Sequence, residues 1–430
     1  MSQKTNAFLQ EHMGIRPDVL EAVDAAEAKV QERFAELDDI MAFNQYKVLD
    51  AFQKCGISDM HFNWYTGYGY DDPGREALEK IYATTFRTEA ALVRTQIVNG
   101  THALSLALSG VLRPGDEMIA ATGKPYDTIQ SAIGISESGK GKGSLIDFGI
   151  TYKQIDLLPD GTINQEALEA ALTPKTRMVY VQRATGYAWR KAILISEIEA
   201  CFKRIKELRP DIICMTDNCY GEFLDTKEPT EVGADIMAGS LIKNPGGGLA
   251  LSGGYVAGRK DLIDLVACRL TSPGIGGECG LTFGQTRTMM QGFFQAPKVV
   301  NGAVKGAILC GQVFQDQGMA VSPLPFDQRS DIIEAVQVGS PEGMCAFAEG
   351  VQAAAPVDSH VTPVPWAMPG YDDDVIMAAG AFIQGSSIEL SADGPLREPY
   401  TIYFQGGLTY EHSKFGVIKA LQAMKQAHLL

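Results

Sequence analysis

The sequence has little that would place the chain in a membrane, outside the cell or around a metal ion. It has no apolar run of roughly eighteen residues, so we expect no membrane-spanning helix. The opening stretch, MSQKTNAFLQEHMG, lacks the apolar core of a signal peptide, and we expect a cytoplasmic protein. The eight cysteines form no Cys-x-x-Cys pair and the six histidines are dispersed. This spacing predicts reduced core cysteines and no metal site.

The chain also has fewer basic residues than acidic residues. The chain has 37 Lys and Arg residues against 52 Asp and Glu residues, which gives a net charge of -15 at pH 7. A field of this sign repels nucleic acids and anionic membrane surfaces. We therefore expect neither as a partner.

The length and the apolar pattern favour two packed domains of a globular protein. The chain has 430 residues, of which 45% are hydrophobic and 21% charged. From about residue 90, short apolar runs such as RMVYVQ and DIICMTD alternate with helical patterns. Such alternation is typical of a mostly parallel sheet with helices on both faces. After about residue 300, prolines and β-type alternation such as HVTPVPW favour a smaller α+β domain.

These changes in texture predict three segments. They are an N-terminal helical arm at 1–45, a large α/β domain at 46–300 and a small C-terminal α+β domain at 301–430. In the arm, Pro17 and the apolar residues after it predict one helix over 17–42. That helix could pack on a neighbouring subunit or on its own domain.

One helix of the large domain carries explicit end signals. Ser196 and Glu199 match a Ser-x-x-Glu capping box, apolar residues follow at helical spacing, and Pro210 stands beyond the last of them. The pattern predicts a helix over Ser196–Leu208 with Ser196 as its cap.

A lysine interrupts an apolar run in GSLIKNPGGGLALSGG and is soon followed by three glycines. Burying the ammonium of Lys243 without a partner is costly, and a glycine triplet costs backbone entropy. We expect the glycines to let backbone pass close to a ligand. Asp217 ends the preceding apolar strand, and adjacent parallel strands end at one edge of a sheet. The two residues could form a salt bridge, Asp217 could cap a helix, or a cofactor could lie between them.

A turn earlier in the chain has the composition of an anion site. Gly100, Thr101 and His102 follow the apolar run AALVRTQIV and open a helical pattern. Free backbone N–H groups at a helix start bind phosphate well, although any α/β protein contains such turns. His102 could point its ring at a cofactor or pack locally.

Pyridoxal phosphate explains these signals together. It needs a lysine amine, an acidic partner for the pyridine nitrogen and a phosphate cradle at a helix start. Lys243 offers the amine and Asp217 the acid, while the turn at Gly100 offers the cradle, with the hydroxyl of Ser240 beside it.

Longer stretches resemble one family of pyridoxal-phosphate enzymes. They are TGYGYDDPGRE, VNGTHAL, VQRATGYAWR, TDNCYGEF, SLIKNPGGGLA, SPGIGGECG and LREPYTIYFQGGLTY. The chain resembles the aluminium-resistance or methionine gamma-lyase-like proteins, in the cystathionine and methionine lyase branch of the aspartate aminotransferase type. The resemblance runs from residue 66 to about 410. It implies an α/β fold of the PLP-dependent transferase type I.

The resemblance also implies roles for individual residues. Lys243 would be the Schiff-base lysine and Asp217 the partner of the pyridine nitrogen. Tyr126, in GKPYDT, would stack on the cofactor ring, and its hydroxyl could protonate the leaving group. Tyr68 and Tyr70 would reach the phosphate of a neighbouring subunit, which implies a homodimer or homotetramer with shared sites.

Two arginines are candidates for the substrate carboxylate. Arg397 is the first and Arg183 the second, although Arg183 could instead contact the ring hydroxyl of the cofactor. The chain departs from the better-known lyases at two positions. Ile242 precedes the lysine where they have threonine, and Tyr70 stands where they have an arginine, with Arg75 a few residues on.

The resulting expectation is a pyridoxal-phosphate-dependent carbon–sulfur lyase. It would act on a sulfur amino acid, as a cystathionine beta-lyase or a methionine gamma-lyase does, and release a thiol, ammonia and a 2-oxo acid. An aminotransferase on the same cofactor and a non-catalytic, cofactor-binding regulatory protein are the alternatives.

Overall fold

A computed structural model describes residues 1–368, 371 and 373–430. The chain forms two compact units, of which one comprises 42–186 and 192–297. The other comprises 1–41, 187–191 and 298–430. Residues 1–41 therefore cluster with the C-terminal part of the chain, and the unit boundaries near 41 and 297 differ from the proposed 45 and 300.

Three helices open the chain: α1 (Gln3–Met13), α2 (Pro17–Lys29) and α3 (Gln31–Cys55). The prediction of one helix over 17–42 is therefore wrong. The helix ends at Lys29 because the next residue, Val30, leaves helical geometry at φ -103° and ψ 8° and bonds three residues back, to the Glu27 carbonyl. No glycine or proline marks this break, so the sequence gives no local signal for it.

The larger unit is built on a seven-stranded sheet. Its strands are β1 (Ala90–Arg94), β2 (Glu117–Ala120), β3 (Thr151–Gln154), β4 (Thr176–Gln182), β5 (Ile213–Asp217), β6 (Ile236–Ser240) and β7 (Gly254–Gly258). They lie in the order β1-β7-β6-β5-β4-β2-β3. Only β7 runs against its neighbours, so the sheet is mostly parallel, as predicted.

Helices follow most of the strands along the chain. They are α4 (Pro73–Thr85), α5 (Gly100–Val111), α6 (Asp127–Ile133), α7 (Gln165–Ala171), α8 (Ile195–Leu208), α9 (Lys260–Leu270) and α10 (Thr286–Asp316). Alternate residues of β4 enter two different cores. Met178 and Tyr180 pack with residues of α5 and α9, whereas Val179 and Val181 pack with residues of α8. This period of two shows a sheet buried on both faces.

The start of α8 differs from the predicted capping box. The helix begins at Ile195, and the backbone N–H of Leu194 donates to Oε2 of Glu197 at 2.8 Å. Ser196 and Glu199 lie inside the helix and do not cap it. The glutamate that caps the helix is therefore Glu197, two positions before the predicted Glu199. The helix starts earlier than predicted, with the apolar residues Leu194 and Ile195 at its beginning.

The second unit contains a five-stranded antiparallel sheet and two helices after α10. The strands are β8 (Val321–Ser322), β9 (Ile333–Gln337), β10 (Val375–Ala378), β11 (Ser391–Pro395) and β12 (Thr401–Gln405), in the order β10-β11-β12-β9-β8. The helices are α11 (Pro341–Gln352) and α12 (Tyr410–Gln426). Within the described residues, no helix is both long and apolar enough to cross a membrane.

Candidate active site

One edge of the seven-stranded sheet collects the predicted site residues. The carboxyl ends of β1, β2, β4, β5 and β6 all lie there, since β7 alone is reversed. Asp217 is the last residue of β5 and is paired with Ala238 of β6. Lys243 follows the end of β6, at the same edge. We call this edge the site rim.

Asp217 is buried at the site rim with only polar neutral groups bonded to it. Its side chain accepts a hydrogen bond from the Tyr180 hydroxyl at 3.2 Å and from the backbone N–H of Cys219 at 3.0 Å. Burial raises the pKa of the Asp217 carboxyl, and the positive charge of Lys243 acts in the opposite direction. No ion pair within 4.0 Å joins Asp217 to Lys243 in the described part of the chain. Asp217 is thus neither a salt-bridge partner nor a helix cap, and a cation placed at its carboxylate would stabilise it.

The amine of Lys243 lies over an aromatic ring that the sequence analysis missed. Its Nζ is 4.0 Å from the centre of the Tyr220 ring. Tyr220 is buried and has a φ of +66°, which is rare for a residue with a side chain. A cation above a ring face is electrostatically favourable, so Tyr220 holds the amine in place. The signal in the sequence that could have identified Tyr220 is its position in the turn after β5.

Two of the glycines after Lys243 are required by contacts within the protein. A Cβ at Gly246 would lie 1.8 Å from the carbonyl oxygen of Leu241, and one at Gly247 would lie 2.3 Å from that of Gly292. Gly247 also has a φ of +52°. These two glycines allow a tight turn against protein backbone, and their proximity to a ligand stays a prediction.

The start of α5 and the end of β6 together form a cradle for an anion. Asn99 caps α5 by accepting from the N–H of His102 at 2.8 Å, while Gly100 and Thr101 stand at the helix start, where N–H groups lack intrahelical partners. A Cβ at Gly100 would lie 3.1 Å from Cβ of Ser240, so strand and helix touch there. Ser240, the last residue of β6, is 2% exposed. A serine hydroxyl beside the N–H groups of a helix start suits a phosphate.

His102 makes local hydrogen bonds in this turn. Its Nδ1 accepts from the N–H of Val98 at 3.1 Å, and burial lowers its pKa. Its own N–H is occupied by Asn99. These bonds favour local packing, and a contact of the His102 ring with a cofactor stays a prediction.

Replacing Gly100 with alanine is expected to weaken phosphate binding in particular. The new methyl group would be 3.1 Å from Ser240 and 3.3 Å from Sγ of Cys219, which forces the cradle to open by a few tenths of an ångström. We expect the affinity of the apoprotein for pyridoxal phosphate to fall about tenfold, or roughly 1.4 kcal/mol. Absorbance titration measures it. Pyridoxal, which lacks the phosphate, is the control, and an equal loss for both ligands would contradict this explanation.

Tyr126 is held between two residues that the sequence analysis did not single out. It lies just before α6, and its backbone N–H donates to Oε1 of Gln182 at 2.6 Å. Gly186 has a φ of +60°, and a Cβ there would lie 2.9 Å from Cδ2 of the Tyr126 ring. Its aromatic ring is thus fixed at the same rim, at the end of β2.

The two candidate arginines differ in their surroundings. Arg183 is fully buried, and its Nη1 donates to Oδ1 of Asn218 at 2.8 Å and lies 3.4 Å from Oε2 of Glu228. These contacts engage Nη1 within the protein, and a role of Arg183 toward substrate or cofactor stays a prediction. Arg397, in the other unit, donates to Oδ2 of Asp373 at 2.9 Å, and its side chain is 46% exposed. Its role stays a prediction.

Tyr68 and Tyr70 are exposed on a loop that is firmly attached. Their rings are 5.4 Å apart, and the Tyr68 carbonyl accepts from the N–H of Gly280 at 3.0 Å. The buried guanidinium of Arg75 donates to the carbonyls of Gly69 and Gly280 at 2.5 and 3.2 Å. Arg75 therefore clamps the loop and is not available as a phosphate ligand in this arrangement.

Hydrogen bonds from the end of a sheet strand also hold the glycine-rich segment SPGIGGECG. Arg94, at the end of β1, donates to the carbonyls of Gly277 and Cys279 at 2.8 and 2.6 Å. These bonds tie the segment to the end of β1.

Comparisons with known proteins agree with this architecture. The sequence model of the methionine gamma-lyase family matches residues 19–425. A carbon–sulfur lyase involved in aluminium resistance from Clostridium novyi NT is 52% identical and has a TM-score of 0.94, with 98% of this chain and 99% of that one covered. The L-methionine gamma-lyase of Pseudomonas deceptionensis is 26% identical over 58% of each chain.

A more distant structure shows the same fold. The pyridoxal-5'-phosphate-dependent protein YhfS of Escherichia coli has a TM-score of 0.59 at 15% identity, with 91% of this chain and 97% of that one covered.

Proposed function

The chain belongs to the methionine gamma-lyase family, and from this premise we propose that it is a pyridoxal-phosphate-dependent carbon–sulfur lyase acting on a sulfur amino acid. The observation that carries the proposal is the pair at neighbouring strand ends. The Asp217 carboxylate is buried without an ion pair in the described structure. Lys243 follows the end of β6, which is the parallel neighbour of the strand that ends at Asp217. Such a pair suits a ligand that brings a cationic group to the acid and a carbonyl group to the amine.

The described residues fit pyridoxal phosphate in three respects. The buried carboxyl of Asp217, whose pKa is raised by burial, suits a protonated ring nitrogen. The hydroxyl of Ser240, beside the helix start at Gly100 and Thr101, suits a phosphate. Lys243 supplies the amine for covalent attachment. When bound, the cofactor supplies a ring that accepts the electron pair left at the α-carbon.

The residues of this chain would then move protons and hold groups in place. The freed amine of Lys243 takes the proton from the α-carbon of the substrate. The carboxylate of Asp217 would hold a proton on the ring nitrogen, and Tyr126 would hold the ring in place. The hydroxyl of Tyr126 gives its proton to the departing sulfur. Arg397 is the proposed ligand of the substrate carboxylate, since Arg183 is enclosed.

Assembly is part of the proposal. Tyr68 and Tyr70 are exposed, although aromatic rings in soluble proteins are usually covered, and their loop is fixed by Arg75. We propose that they complete the phosphate site of a second copy, in a homodimer or homotetramer.

A product assay tests the function. We expect the protein loaded with pyridoxal phosphate to convert L-cystathionine, L-methionine or both with release of a thiol, a 2-oxo acid and ammonia in equal amounts. Pyruvate from L-cystathionine would identify elimination at the β-carbon, and 2-oxobutanoate from L-methionine elimination at the γ-carbon. Transfer of the amino group to an added 2-oxo acid without ammonia would instead identify an aminotransferase. Bound cofactor without turnover on an amino-acid panel would support the non-catalytic alternative.

A further inference from the structure

A buried ion pair lies behind the site rim and holds the turn that follows Asp217. Arg183 donates from Nη1 to Oδ1 of Asn218 at 2.8 Å and lies 3.4 Å from Oε2 of Glu228. The same glutamate oxygen accepts from Nδ2 of Asn218 at 3.0 Å. The side chains of Arg183 and Glu228 are 0% and 3% exposed. Asn218 is thus fixed by both members of the pair.

Glu228 also holds the far end of this turn, which comprises 218–223. Its Oε1 accepts from the N–H of Phe223 at 2.9 Å, so one carboxylate bridges the first and last residues of the turn. Tyr220 and Phe223 both have a φ of +66°. Such conformations persist only where the surrounding structure imposes them.

The turn carries or adjoins two groups of the proposed site. Asp217 precedes it directly, and its carbonyl accepts from the N–H of Arg183 at 3.1 Å. Tyr220, whose ring centre is 4.0 Å from Nζ of Lys243, lies inside it. Moving the turn would therefore move the carboxylate and the ring together.

We propose that Arg183 and Glu228 are positioning residues that fix the direction of the Asp217 carboxylate and the place of the Tyr220 ring. Neither would touch the substrate. A buried ion pair usually stabilises a fold no better than apolar residues of the same volume, so its presence here is better explained by the geometry it imposes. The inference rests on the proposed function, because it concerns how the site would hold the cofactor and Lys243.

Glu228→Gln is the first test, since it keeps the shape and removes the charge. We expect kcat for L-cystathionine or L-methionine to fall about 10- to 100-fold with KM nearly unchanged, because small misplacements of catalytic groups lower the rate by such factors. The pH at which the visible band of the bound cofactor changes should shift by about one unit, a tenfold change in proton affinity. Absorbance titration at a series of pH values measures that shift without any substrate.

The chain offers a matched control in its other unit. Arg329 and Glu334 form an ion pair whose side chains are 1% and 0% exposed. Glu334→Gln should lower the urea concentration of half-unfolding, and leave the absorbance titration and KM as in the original protein. This comparison separates positioning from a general loss of stability.

Two further variants keep the proposal testable if Glu228→Gln does not fold. A Cβ at Gly221 would lie 2.6 Å from Cδ of Arg183, so Gly221→Ala displaces the guanidinium without changing any charge. Arg183→Lys keeps the charge but replaces the planar guanidinium, whose Nη1 reaches both Asn218 and Glu228, with a compact ammonium on a flexible chain. Both should shift the absorbance titration in the manner of Glu228→Gln.

Three results would overturn the proposal. They are an unshifted titration in the folded variants, an equal shift in Glu334→Gln, and normal behaviour of Arg183→Lys, which would leave charge alone as the cause. If the original protein showed no visible band with pyridoxal phosphate, the proposed function itself would fail, and the two failures are thereby distinguished.

Discussion

Lys243→Ala is expected to abolish turnover and to remove the visible absorption band of the protein supplied with pyridoxal phosphate. The amine would be lost both as the point of covalent attachment and as the base that takes the α-proton. General acid–base catalysis alone contributes up to about 10⁴-fold, so we expect kcat to fall by about that factor or more. Absorption spectra and a product assay measure the two effects.

The matched control for this variant is Lys124→Ala. Lys124 is exposed and lies two residues before Tyr126, outside the proposed catalytic groups. It should keep both the band and the turnover. A Lys243→Ala protein that retained kcat and lost only substrate affinity would contradict the assignment, since a base and attachment point cannot be reduced to a binding contact.

Asp217→Asn is expected to give the second largest effect, with opposite consequences for activity and for the stability of the apoprotein. The neutral amide cannot hold a proton on the ring nitrogen, and we expect kcat to fall about 10²- to 10³-fold, as on loss of a strong electrostatic contact in a buried site. Steady-state kinetics with the substrate found in the product assay measures this loss.

The stability effect follows from the pKa of Asp217. Burial raises this pKa in the folded protein, so the folded state binds the proton more tightly than the unfolded state does. The stability that the protonated group contributes is present at low pH and is lost as the pH rises through the folded pKa. Relative to Asp217→Asn, the apoprotein should therefore be less stable at pH 7 than at pH 4. Urea unfolding of both proteins at the two pH values measures the difference.

Asp235→Asn is a control at the opposite edge of the same strands. Asp235 precedes β6, pairs with Lys206 at 2.6 Å and accepts from the N–H of Cys214 at 2.8 Å. Its loss should destabilise the protein without changing the absorption of the bound cofactor.

Bound pyridoxal phosphate should also stabilise the original protein more than it stabilises the Asp217→Asn variant. Equal stabilisation would show that the carboxylate does not face the ring nitrogen.

The strand-end positions were predictable because they depend on chain order and strand direction. Asp217 ends one apolar run and Lys243 the next, and β5 and β6 are indeed parallel neighbours. Gly100 and Ser240 meet for the same reason, since β1 and β6 flank the reversed β7. Their chemical roles stay predictions.

Side-chain direction beyond a strand end was not predictable. Arg183 directly follows β4, but its side chain turns into the interior. Two oxygen acceptors lie there, Oδ1 of Asn218 and Oε2 of Glu228. Tyr220 lies in a turn with a left-handed backbone, where neither the period of a strand nor that of a helix applies. Gln182 and Gly186 matter to Tyr126 only through contacts made after the chain has folded.

The place of β1 at the border of the large sheet bears on how the protein is made. β1 pairs with β7 alone in the described sheet, Ala90 with Gly258, and these residues are 258 − 90 = 168 positions apart. Contacts so distant in sequence form late, because a long loop must close before they are gained. The helix that opens at Gly100 is attached to that strand. A growing polypeptide would therefore have no phosphate cradle until β7 has left the ribosome, and the cofactor would join a chain whose sheet is already complete.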